Sequence, residues 1–195
     1  MRLFVAIELP SEIRAALAGI QSGVPGARWT VAENMHLTLR FFGETDGGQA
    51  EDLAYELQRI DQASFDIELD GAGQFSRGAG IKMLWMGLKP LEPLLALNTK
   101  IERAARKSGF PTERRAFKPH ITLARFSYPP EIDRAREYLE RHGRFQQPPF
   151  RISGFSLYSS QLRPEGPIYR AEADFPFADA SIGDTSYFDE WADAK

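Results

Sequence analysis

The feature that most constrains this chain is a phrase written twice. His36-Leu37-Thr38-Leu39 is followed at Phe42 by an aromatic ring, and His120-Ile121-Thr122-Leu123 is followed in the same way by Phe126, 84 positions later. The chain holds three histidines and seven threonines in 195 residues, so a given histidine has threonine two places on only about 4% of the time. One such pair is weak; two copies in matched surroundings are not chance. Alternation of side chains in a strand puts His36 and Thr38 on one face and Leu37 on the other, and likewise His120 and Thr122 against Ile121. Each copy therefore anchors an apolar face in a core and offers an imidazole and a hydroxyl on the opposite face. A pseudo-twofold between two halves would bring both pairs to one cleft. Arg40 continues the alternation of His36 and Thr38 and is expected to reach the same cleft. Arg125 has the parity of Ile121 and Leu123, and is expected to point away unless a bulge reverses it.

The flanking sequence gives each copy a similar setting. Residues 2–8 are β-prone, and Pro10-Ser11 opens a helix to about residue 21. A short strand around Arg28-Trp29 and a turn near Glu33-Asn34 lead into the first motif strand, 36–42. Apolar residues at 50, 53, 54, 57 and 60 have the spacing of an amphipathic helix. Glycine-separated strands at 64–76 and 80–88 precede a helix that closes on Gly109. The second motif strand, 120–126, is followed by a proline pair, a helix over 131–143 and two further strands at 150–162 and 166–177. The order predicts an α+β fold: bilobal, with pseudo-twofold related lobes, mostly antiparallel sheets facing a central cleft, and helices on the outside. Residues 1–177 are expected to form this single domain.

Composition and charge narrow the function classes. Cysteine is absent, which removes disulfides, thiolate nucleophiles and thiolate metal sites. No His-x-x-x-His or His-Asp spacing suggests a metal, and none is expected; nor is a cofactor. No apolar run approaches the ~20 residues of a membrane helix, so no membrane partner is expected; the absence of cysteine fits a cytoplasmic protein, and the chain is expected to be monomeric. The net charge is −3, but residues 178–195 alone carry −4 and read as an acidic tail, leaving +1 on the rest. Lys and Arg concentrate in residues 102–125, beside the second motif. Such a flank suits a phosphate-bearing partner as well as it suits a solvated helix face.

Two imidazoles facing one ligand suit acid–base chemistry at phosphorus. A neutral ring takes a proton from water while a protonated ring gives one to the leaving oxygen, and threonine hydroxyls hold the non-bridging oxygens. Without a metal the leaving group must already be good, and a strained cyclic phosphodiester is the natural substrate. His142, before Gly143 at a helix end, is expected to be structural. Trp85 and Phe42 are candidates for base stacking, although aromatic residues in strands more often belong to the core. The glycines of residues 71–80 do not spell a nucleotide-binding loop.

The tandem "HLTL" and "HITL" resemble the two-histidine phosphoesterases. Within them, "RLFVAIELP", "HLTLRFFGE", "LWMGL", "FKPHITLAR" and "GPIY", in that order, resemble the RNA 2′,3′-cyclic phosphodiesterases, also called 2′-5′ RNA ligases. The resemblance implies a metal-independent enzyme that opens RNA 2′,3′-cyclic phosphate ends to 2′-phosphomonoesters, tRNA fragments among its candidate substrates, with 2′-5′ ligation as the reverse activity. It implies catalytic His36 as proton donor and His120 as acceptor, with Thr38 and Thr122 binding phosphate. The residues alone do not choose between donor and acceptor. Two alternatives use the same residues: a phosphoesterase for a small cyclic nucleotide or oligonucleotide tail, and a non-catalytic RNA-end binder.

Overall fold

A computed structural model describes residues 1–78, 80–163 and 166–179. Most of the acidic segment 178–195 therefore lies outside the described residues. Its first two residues do not hang free of the body. Asp179 accepts from the Ser64 backbone N–H and hydroxyl, both at 2.8 Å, and pairs with Arg151 at 3.4 Å.

Among the described residues, nine strands join in one antiparallel sheet. They are β1 (Arg2–Glu8), β2 (Arg28–Trp29), β3 (His36–Glu44), β4 (Phe65–Arg77), β5 (Gly80–Lys89), β6 (Ile121–Arg125), β7 (Phe150–Ile152), β8 (Gly154–Arg163) and β9 (Gly166–Pro176). Their order is β7-β4-β5-β6-β3-β1-β8-β9, with β2 paired to β6. The helices are α1 (Ser11–Ala18), α2 (Gly47–Gln58), α3 (Glu92–Lys107) and α4 (Ile132–His142).

The order is symmetric about its middle. β3 pairs with β1 across α1 and runs on into α2; β6 pairs with β5 across α3 and runs on into α4. The two motif strands stand side by side at the join, where Leu37 pairs with Ile121. This is the expected pseudo-twofold, realised with a continuous sheet linking the lobes. One expected strand, 150–162, is split at Ser153. Its first part pairs with β4 and its second with β1, so one residue carries the chain from one half to the other.

Helix boundaries follow ordinary end chemistry. Pro10 precedes α1, Asp46 caps α2 by accepting from Gln49 N–H at 2.8 Å, and Arg106 and Lys107 sit in the last turn of α3. Each helix sends apolar residues into one core, including Leu17, Leu53, Leu57, Leu97, Ile101 and Tyr138, which meet the Leu3, Val5, Ile7, Leu37, Leu84 and Ile121 side of the sheet. Burying such a side chain is worth about 1.5–3 kcal/mol, so the helices are fixed to one face and the other is left for ligand. At Gly71, φ is +74° and an added Cβ would lie 2.2 Å from the Gly143 carbonyl. That close approach locks the end of α4 against β4 and needs glycine.

Candidate active site

The site is built on the face of the sheet turned away from the helices. Continuing the Leu37–Ile121 antiparallel register by one residue each way sets His36 across from Thr122 and Thr38 across from His120. Four candidate side chains thus gather on the cleft face around the point where the two motif strands meet. His36, His120, Thr38 and Thr122 are brought together as the sequence predicts.

Both imidazoles are held in the same way. His36 Nδ1 lies 2.8 Å from the Asn34 carbonyl, and His120 Nδ1 lies 2.6 Å from the Lys118 carbonyl, each two residues upstream. A carbonyl only accepts, so Nδ1 carries the proton and donates it. Nε2 of each ring is then the nitrogen with a lone pair, able to accept a proton. Thr122 Oγ1 rests 3.6 Å from the Met83 sulfur, a weak acceptor from which it is easily turned to a better one.

The surroundings of the two rings differ. His36 packs against Phe4, with ring centres 5.1 Å apart, and edge-on against Tyr169 at 5.3 Å. Burial pushes its pKa down from 6.5 to about 4, against the Asn34 hydrogen bond, which raises it; the charges of Arg125 and His120 lower it further. His120 meets Phe75 edge-on at 4.9 Å and is shifted in the same direction, by burial first and by Arg125. Both rings are therefore neutral at pH 7 in the free protein. Burial likewise raises the pKa of Tyr169, and Arg125 opposes that shift.

Arg125 thus lies at the centre of the site, on the cleft face, and the reason is a bulge. Trp85 pairs with Thr122 but Leu84 pairs with Ala124, which leaves Leu123 as an extra residue in β6. The extra residue reverses the alternation: Leu123 and Ala124 are both fully buried, and Arg125 emerges on the face of Thr122. β3 contains the same irregularity. Ala6 pairs with Thr38 but Val5 pairs with Arg40, so Leu39 is extra. Here the reversal sends Arg40 to the core side and brings Phe41, 61% exposed, onto the cleft face opposite Phe4.

The expectation that Arg40 shares the face of His36 and Thr38 is therefore corrected. Arg40 is 7% exposed, forms an ion pair with Glu102 on α3, and donates to the Pro111 carbonyl at 2.5 Å. Asn98, one turn before Glu102, donates at 2.9 Å to the carbonyl of Leu39, the bulged residue itself. Arg40, Asn98 and Glu102 fasten α3 and the start of segment 111–118 to the motif strand. Asn98 and Glu102 carry no motif signal in the sequence.

The remaining aromatic candidates fall on both sides. Phe42 packs at a tilt against Phe110, ring centres 4.8 Å apart, and belongs to the core side. Trp85 lies on the cleft face, its ring covering Gly73, where an added Cβ would sit 2.2 Å from it. Phe41, Phe75 and Tyr169 were not singled out by sequence. His142 stays structural at the end of α4, 4.6 Å from Tyr138. No cluster of three metal-ligating side chains occurs among the described residues, and no described helix is long and apolar enough to cross a membrane.

A family model described as the 2′-5′ RNA ligase superfamily matches residues 9–163. A Thermotoga maritima protein named RNA 2′,3′-cyclic phosphodiesterase is 33% identical over 178 residues, covering 87% of this chain and 92% of its own. A Thermus thermophilus protein of the same name is 35% identical over 185 residues, covering 87% and 86%. The crystal structure of Escherichia coli LigT complexed with 3′-AMP superposes with a TM-score of 0.74 at 29% identity, over 91% of this chain and 98% of that one. By sequence, by fold and by the paired motifs at its centre, the chain belongs to the 2′-5′ RNA ligase superfamily.

Proposed function

We propose that the protein hydrolyses 2′,3′-cyclic phosphodiester ends of RNA to 2′-phosphomonoesters by acid–base catalysis between His36 and His120. The observation that carries this reading is the symmetric anchoring of the two rings: each donates Nδ1–H to a carbonyl two residues back and keeps Nε2 for the substrate. Relatives named RNA 2′,3′-cyclic phosphodiesterase over most of the chain supply the substrate class.

The cyclic phosphate sits between the two histidines. Water attacks phosphorus and gives its proton to the Nε2 of one imidazole, the P–O3′ bond breaks, and O3′ takes the proton of the other. Thr38 and Thr122 donate to the non-bridging oxygens, and the Arg125 guanidinium balances their charge. By family resemblance His36 is the donor and His120 the acceptor. A donor must be protonated, and in the free protein His36 is the ring held furthest from that state. The substrate anion supplies the correction, because a negative charge beside an imidazole raises its pKa. No step requires a metal, and 2′-5′ ligation is the same sequence with the 5′-hydroxyl of a second RNA attacking in place of water.

The test is to incubate the protein, with a chelator present, with an oligoribonucleotide ending in a 2′,3′-cyclic phosphate and to map the product by 31P NMR. A 2′-phosphomonoester is expected. No ring opening, a 3′-phosphate, or activity that returns only with a divalent ion overturns the reading.

A further inference from the structure

The catalytic quartet does not fill the space available to a ligand. A cavity of about 790 Å³ begins at Thr38, His120 and Arg125 and extends between α3 and segment 111–118. It lies toward the upper end of the roughly 300–1,000 Å³ typical of small-ligand sites, and is longer than a terminal nucleotide requires.

Its wall has a definite chemistry. Arg103 and Arg106 face it from α3, and Arg115 and Lys118 from the segment that leads to His120. All four are exposed, and none forms an ion pair among the described residues. The two carboxylates in the same wall are already engaged. Glu102 is held by Arg40, and Glu113 accepts from the Arg115 backbone N–H at 3.0 Å. Four free cations thus line one cavity, in a body whose net charge apart from segment 178–195 is only +1. Lys118 Nζ also lies 6.0 Å from the centre of the Phe75 ring, which itself touches His120. Cations alternating with an aromatic face are the lining of single-stranded nucleic-acid channels.

Direction follows from the catalytic end. A cyclic phosphate held at the quartet is the 3′ terminus, so whatever else enters the cavity is the chain on its 5′ side. We propose that this cavity binds the RNA upstream of the terminal nucleotide, with Arg103, Arg106, Arg115 and Lys118 on its main-chain phosphates, so that the enzyme selects oligoribonucleotide ends over cyclic mononucleotides. The inference rests on the ring-opening reading above. The buried Arg40–Glu102 pair and the Asn98 hydrogen bond serve it indirectly, by keeping the α3 wall at a fixed distance from the quartet.

The competing role for Arg106 is to complement the helix dipole at the end of α3, which would appear as a change in stability. The experiment uses two double variants, Arg103→Gln/Arg106→Gln and Arg115→Gln/Lys118→Gln. The first readout is the ratio of kcat/KM on a hexaribonucleotide with a 2′,3′-cyclic phosphate end to that on a 2′,3′-cyclic mononucleotide. The second is the Kd of a fluorescent hexaribonucleotide with a 2′-phosphate end, measured at several salt concentrations. In each variant the ratio is expected to fall about tenfold. The salt slope of binding should shrink by about 1.4, as it does when two cations no longer neutralise phosphates of a single strand. An unchanged ratio together with an unchanged Kd and slope overturns the proposal, as does a lower melting temperature without either effect. If the wild type opens neither substrate, the catalytic reading fails by itself, and the product-binding arm still decides whether the cavity holds the chain.

Discussion

The two motif strands are the same device placed in two environments. In both, histidine and threonine share the cleft face, the next leucine is an extra residue, and the alternation reverses after it. The copies differ in what that reversal delivers. In β6 it hides Ala124 and presents Arg125 to the cleft; in β3 it hides Arg40 and presents Phe41. His36 ends up enclosed by Phe4 and Tyr169, while His120 opens onto a cation-lined cavity. Duplication provides two equal imidazoles, and the aromatic residues of β1 and β9 packed around His36 make them unequal. A pair that must divide donor from acceptor needs such a difference.

The largest effect is expected where the copies are equivalent. His36→Ala and His120→Ala should each lower kcat by roughly 10²–10⁴, and the double variant should lose far less than the product of the two because the rings act as one unit. Single-turnover rates with matched melting curves check this. A single variant with near-wild-type turnover would show that its ring takes no part.

Next is the residue that the bulge buries. Arg40→Ala leaves the Glu102 carboxylate without its partner, so stability is expected to fall by roughly 3 kcal/mol. The affinity of a folded Arg40→Ala/Glu102→Gln variant for RNA should keep its normal salt dependence, since the Arg40 guanidinium, although at the cavity wall, is held by Glu102 and the Pro111 carbonyl. Denaturant titration and binding isotherms measure the two separately. A salt-dependent loss of affinity at unchanged stability would return Arg40 to the substrate.

A comparable effect distinguishes the two rings by pH. The folded-state pKa of His36 is near 4 against 6.5 unfolded, so the unfolded chain takes up the proton first as pH falls. The stabilising preference for neutral His36 is therefore whole above pH 6.5 and is lost progressively toward pH 4, by roughly 3 kcal/mol at most. Wild type should lose more stability than His36→Gln between pH 7 and 4.5. Equal losses would mean that burial of this ring is not felt.

The smallest effect is expected at the presented residue. Arg125→Ala should lower kcat/KM about tenfold, the scale of one charged hydrogen bond, with stability little changed because the side chain is exposed. Phe41→Ala, its counterpart in β3, should act on KM alone if it only borders the ligand. A fall in kcat for Phe41→Ala as large as that for Arg125→Ala would erase the contrast between the copies.

Much of this was legible in the residues. The strands, the helices and the quartet follow from period-2 and period-3.6 patterns and from the repeated His-x-Thr. What alternation cannot register is an inserted residue. Leu39-Arg40-Phe41-Phe42 reads as a continuing strand, and parity carried Arg40 to the wrong face because nothing local marks Leu39 as extra. The bulge is held from a distance, by Asn98 of α3 reaching the Leu39 carbonyl. Partners 59 residues apart leave no trace in a local pattern. The split at Ser153 is similar: 150–162 has uniform β character, and only the two neighbours that claim its halves divide it.

The central claim is that the two histidines divide one proton transfer between them. A substrate with sulfur in place of the bridging O3′ tests it directly, because a thiolate leaves without protonation and makes the acid dispensable. On this 2′,3′-cyclic phosphorothiolate, His36→Ala is expected to recover most of its lost rate and His120→Ala to remain impaired. Recovery of His120→Ala alone would reverse the assignment of donor and acceptor. Recovery of both variants, or of neither, would contradict the division itself.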